Sequence, residues 1–168
     1  MPNDLTQGVR SHAALFGHPL HPMVVPFPIA FLVGALVTDL VFLGNADPFW
    51  AEMSKWLILA ALVMGALAAV LGLIDFLTIK RVREGNTGWM HMGGNVIAVL
   101  LSLFSLIYRW PDPAAAVVPV GLTISVIVSV ILVFTGWLGG ELVFRRKIGV
   151  MNAADTAATR RQQPFPAE

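Results

Sequence analysis

Three histidines and two carboxylates carry the metal-binding chemistry that this sequence offers. His18 and His21 stand three residues apart, each followed by proline, and Asp75, His91 and Glu141 follow far down the chain. Imidazole suits zinc, copper, iron and nickel, while carboxylates favour harder ions. A pair of histidines has a second use, the axial ligation of a haem b iron, and His21 with His91 is the pair for it. Asn95 lies four residues beyond His91, where its amide can orient the imidazole from behind. Met23, Met90 and Met92 add thioethers, although Met90 and Met92 point to different faces of a helix, so at most one joins His91. The chain contains no cysteine, which removes disulfides and thiolate ligands from consideration. No nucleophile–base set, phosphate-binding glycine loop or HExxH motif is present, which argues against a hydrolytic enzyme.

The elements that must position these groups are membrane spans. Apolar residues make up 57% and charged residues 12% of the 168, and mean hydropathy is +0.75. A soluble domain carries about a quarter of its residues charged. Crossing a bilayer takes about 20 apolar residues, and four such runs are visible, over residues 23–43, 53–79, 89–108 and 116–144. The run from Gly17 to Ala30 reads as a stiff, extended lead-in that becomes the first helix, because each proline biases its predecessor away from the α region. Asn45-Ala46-Asp47-Pro48 and Trp110-Pro111-Asp112-Pro113 are turns, and Lys80–Gly88 is a basic loop. Phe49, Trp50, Trp56 and Trp110 suit headgroup depth.

Nine of the eleven Lys and Arg residues fall on the side that holds both termini and the middle loop; only Lys55 and Arg109 lie on the other. The positive-inside rule places that side in the cytoplasm. The expected fold is an all-α, integral membrane four-helix bundle with both termini cytoplasmic. Residues 1–17 form a cytoplasmic arm, 18–148 the four-span domain, and 149–168 a disordered tail. The net charge of +1 gives no field for nucleic acid. The lipid bilayer is the expected partner, with a membrane-protein partner or a second copy left open.

Helical spacing sorts the polar and small residues. Ala61, Gly65, Ala68, Gly72 and Asp75 form one stripe, His91, Asn95, Ser102, Ser105 and Arg109 a second, and Ser125, Ser129, Gly136 and Gly140 a third. Small residues let helices approach closely, and polar ones in line face protein or water. On this topology His18, His21, Asp75, His91 and Glu141 all reach one leaflet. Glu141 lies off the Ser125 stripe and joins the others only if the helix distorts at Gly136–Gly140 or presents a different face inward. Each residue also has a plainer role. His18 and His21 suit an interface, as His91 does beside Trp89. Asp75 can bond a helix terminus or pair with Lys80 or Arg81, and Glu141 with Arg145 or Arg146. Asp39 has Lys55, Arg109 or water.

Four ordered stretches resemble a bacterial membrane family catalogued as domain of unknown function 2231. They are Gly17–Met23 running into Pro26–Ala30, Gly72–Phe76, Gly88–Asn95 and Thr135–Val143. The resemblance covers about residues 17–150 and implies the four-span fold in a bacterial inner membrane, while supplying no reaction. Such family members often carry a Tyr-Arg-His-Gly-like run after the last motif; here Phe144-Arg145-Arg146-Lys147-Ile148-Gly149 has no histidine.

The leading functional expectation is a binding or redox protein holding a transition metal or haem at the cytoplasmic end. His21, His91 and Asp75 are its ligands, His18 and Glu141 further candidates, and Asn95 the supporting residue. The competing expectation is a structural or accessory subunit without a cofactor, whose polar groups only fix helix packing. A small transporter, third, has only the His91–Ser102–Ser105 stripe to support it.

Overall fold

The computed structural model describes residues 8–150. Among them, four helical segments are long and apolar enough to cross a membrane: Leu20–Asn45, Pro48–Thr78, Asn86–Arg109 and Pro113–Arg145. Of the expected tail, 149–168, all but the first two residues lie outside the described residues. The chain opens with strands β1 (Ala14–Leu15) and β2 (His18–Pro19), which pair antiparallel. Helix α1 (Leu20–Val24) leads directly into α2 (Pro26–Asn45), so the lead-in is extended through His18-Pro19 and helical from Leu20.

Helix α2 closes at Ala46, in the left-handed region. Asp47 then accepts from the Phe49 amide and Pro48 takes the first helical position, so α3 (Pro48–Thr78) begins five residues before the apolar run expected at 53. The basic loop contains a single-turn helix, α4 (Lys80–Arg83), and Gly85, at φ 103°, lets α5 (Asn86–Arg109) start. The fourth span is not one uninterrupted helix. Asp112 caps α6 (Pro113–Ala116) by accepting from Ala115, and a wide turn over Val117–Gly121 precedes α7 (Leu122–Gly140). Pro119 accounts for the kink, since it lacks an N–H and holds Val118 extended. A second wide turn, Glu141–Arg145, ends the span.

The core runs the length of the bundle. Ala35, Ile58 and Leu106 meet towards one end, Ala98, Ile124, Val128 and Leu132 in the middle, and Phe76, Ile79, Val82, Leu142 and Ile148 at the other. Ala61 and Ala68 are buried and a Cβ on Gly65 would touch Pro28, so the small stripe of α3 packs against the first span. The third stripe divides: Ser125 faces inward, whereas Gly136 has open space beside it. At the Ile58 end, Lys55 pairs with Glu52 at 2.6 Å and lies over the Trp56 and Trp110 rings.

Candidate functional site

The structure brings together two of the five expected ligand residues. The His21 and His91 rings have centroids 6.4 Å apart and planes 88° apart. Both are held by one local device used twice. His21 Nδ1 donates to the Ala68 carbonyl at 2.8 Å, and His91 Nδ1 to the Thr135 carbonyl at 2.8 Å. Each carbonyl lies inside a helix and keeps a second lone pair for an incoming side chain. Four residues on from each acceptor stands a glycine. A Cβ on Gly72 would come 2.8 Å from His21 Cε1, and one on Gly139 would come 3.1 Å from His91 Cε1. Glycine at that position opens the groove through which the imidazole reaches the carbonyl.

A carbonyl oxygen only accepts, so each Nδ1 carries the proton. In the neutral imidazole the Nε2 lone pair is then the one left for other chemistry. Asn95 adjoins His91, as its spacing suggests, but on the Nε2 side; the second-nitrogen bond expected of it goes to the Thr135 carbonyl instead. The Asn95 amide donates to the His91 carbonyl at 2.7 Å and lies 3.5 Å from His91 Nε2. Thr135, which sequence reasoning did not single out, also contacts the Asn95 oxygen at 3.5 Å. The Ala68-x3-Gly72 and Thr135-x3-Gly139 spacings were the available signal.

The other candidates are placed elsewhere. Asp75 is buried and its carboxylate is occupied by the N-terminal arm: Ser11 Oγ at 2.7 and 2.8 Å, the His12 amide at 2.9 Å and the Ala13 amide at 3.1 Å. Nothing in the sequence signals Ser11 as its partner. Glu141 pairs with Arg145 at 3.5 Å across the wide turn. His18 sits in β2 and is exposed. The methionines do not join the pair either: Met23 and Met90 are exposed, and Met92 packs against the Phe76–Ile79–Val82 cluster. Among the described residues, no three or more His, Cys, Asp or Glu side chains are grouped so as to hold a metal ion.

The opposite end holds a second polar centre. Asp39 and Arg109 form a bidentate pair at 2.7 and 2.8 Å, with both side chains fully buried. Arg109 Nε donates to Ser105, Nη1 also to Ser54 and Nη2 also to Ser125. All five guanidinium N–H groups are thereby used. Ser125 in turn donates to Asp39 at 2.6 Å. Of the partners open to Asp39, Arg109 is the one it takes, and α2, α3, α5 and α7 each supply a member of the network. Gly121 leaves room for it, since a Cβ there would come 2.6 Å from Arg109 Nη2.

Four apolar spans and a bundle closed at one end by a buried ion pair define a multi-pass membrane protein in contact with the bilayer. The model of the family described as predicted membrane protein (DUF2231) matches residues 17–152, and the chain belongs to that family. No curated protein and no solved structure matches it.

Proposed function

We propose that this membrane protein binds a haem or other transition-metal centre between His21 and His91. The observation that carries the reading is the spacing of the two rings. An imidazole nitrogen lies about 2.0–2.1 Å from a metal ion and about 1.1 Å from its ring centre, so two rings in trans have centres about 6.4 Å apart. A tetrahedral pair would bring the centres to about 5 Å on the same distances. The 6.4 Å separation of the rings leaves the room a shared metal centre would need, and His21 and His91 would be the residues that hold it. The bonds to Ala68 and Thr135 support it further, since a ligating imidazole characteristically donates its other N–H to a carbonyl or carboxylate.

A haem at this place would supply one-electron chemistry. The chain's own residues fix the tautomer and plane of each ring, with Asn95 and Thr135 bracing His91. Asp75 serves this reading through the arm that leads to His21. The competing reading, a cofactor-free structural protein, rests on the same two Nδ1 bonds taken as clasps between helices. The test is the visible spectrum and iron content of protein purified in detergent without chelators, beside His21→Ala and His91→Ala. A Soret band with near-stoichiometric iron in the wild type, lost or shifted in both variants, supports the proposal. Metal-free wild type, or a spectrum that neither variant changes, sinks it in favour of the clasps.

A further inference from the structure

We propose that the outer face of α7, with Arg145 at its foot, is a binding site for an anionic phospholipid. The face is a continuous ridge. Val130, Val133 and Trp137 follow one another at steps of three and four residues, which keeps them on one side of α7, and Phe144 stands exposed in the wide turn below. Val133, Trp137 and Phe144 are 77%, 74% and 75% exposed. Gly136 adds no bulk to this side of the helix, with nothing among the described residues beyond its chain neighbours within 4 Å of where a Cβ would stand. An acyl chain fits along such a ridge.

The polar end of the ridge is cationic. The Arg145 side chain is 75% exposed and its contact with Glu141 is a long 3.5 Å. Its neighbour Arg146 turns the other way, donating to the Glu84 carbonyl at 2.6 Å and to Thr87 Oγ1 at 3.0 Å. Arg81 donates back to the Arg146 carbonyl at 3.4 Å. These bonds draw the basic helix α4 up to the foot of α7, where Lys80 is 86% exposed. Arg10, Lys80, Arg81, Arg83, Arg145, Arg146 and Lys147 belong to this end, against Asp75, Glu84 and Glu141. At the other end the acids Asp39, Asp47, Glu52 and Asp112 outnumber Lys55 and Arg109. Charge complementarity selects a lipid with an anionic headgroup over a zwitterionic one. Each basic side chain close to such a surface is worth about 1 kcal/mol, or about fivefold in affinity.

The experiment is native mass spectrometry of the full chain released from detergent micelles, with phosphatidylglycerol or phosphatidylcholine added. Preferential retention of phosphatidylglycerol is expected, falling about fivefold in Arg145→Gln. Glu141→Gln, which frees the guanidinium of its acidic neighbour, should raise it, and Trp137→Ala should lower retention of both lipids. Circular dichroism checks that each variant keeps its helix content. Equal retention of the two lipids overturns the proposal, as does an Arg145→Gln variant that binds as the wild type does. A dimer that excludes lipid and dissociates in Trp137→Ala also overturns it, assigning the ridge to a second copy. None of these outcomes depends on a metal at the histidine pair.

Discussion

The two ends of this bundle solve the problem of a polar group within a membrane span in opposite ways. At one end Arg109 places five N–H groups against Asp39, Ser54, Ser105 and Ser125, and nothing on the guanidinium is left over. At the other end each imidazole spends one nitrogen on a helical carbonyl. Its second nitrogen makes no short bond among the described residues; the Asn95 amide nitrogen lies 3.5 Å from His91 Nε2. A closed network ties helices together and has no capacity for a ligand. A pair of oriented rings with their Nε2 atoms uncommitted is the kind of arrangement that can take one. Glycines mark both ends for the same steric reason, Gly121 beside Arg109 and Gly72 and Gly139 beside the histidines.

The largest effect should come from opening the closed end. Arg109→Ala leaves Asp39 buried without its partner and should cost about 3–5 kcal/mol, read as a fall in thermal stability in detergent. The paired replacement Asp39→Leu with Arg109→Met removes both charges and should recover most of that loss. If the double variant is as unstable as the single one, the network is more than a closed ion pair and the contrast between the ends breaks down.

Next come the glycines of the histidine end. Gly72→Ala puts a methyl group 2.8 Å from His21 Cε1, and Gly139→Ala crowds His91 less severely. Overpacking of this kind costs about 1–3 kcal/mol, with Gly72→Ala expected at the upper part of that range. On the metal reading each should also perturb the visible spectrum, whereas Gly121→Ala should reduce stability and leave the spectrum's shape alone.

Asp75→Asn sharpens the distinction between holding the arm and binding a ligand. The carboxylate's bonds to Ser11, His12 and Ala13 are charge-assisted, and an amide reproduces only part of them. Faster hydrogen exchange at His12 and Ala13 is expected, with a local loss of about 1–2 kcal/mol and little change in the melting of the spans. Loss of metal without faster exchange would instead return Asp75 to the ligand set. The smallest effect belongs to Ser129, whose Oγ is buried without a hydrogen-bond partner among the described residues. Ser129→Ala should be neutral or slightly stabilising, within about 0.5 kcal/mol, in the same thermal measurement.

Much of the architecture was legible because membrane spans obey strong local rules. Apolar length gives the spans, and a backbone in lipid has to satisfy its hydrogen bonds internally, which here means helices. The boundaries moved where caps decided them: Asp47 started α3 early, and Asp112 with Pro113 began the fourth span before its apolar run. Helical periodicity also anticipated the buried face of α5, where Ser102, Ser105 and Arg109 are all enclosed.

The sequence by itself determined which residues are available: two histidines at helix starts, a carboxylate on a small-residue stripe, and an arginine in line with serines. Spacing within one helix fixes a face because 3.6 residues make a turn. Only the tertiary structure decided which face meets which neighbour. It set His21 against Ala68, His91 against Thr135 and Asp75 against the arm, and it gave Asp39 to Arg109. Those pairings join residues 44 to 70 positions apart, and no periodicity along a single helix carries information about its partner's rotation or depth.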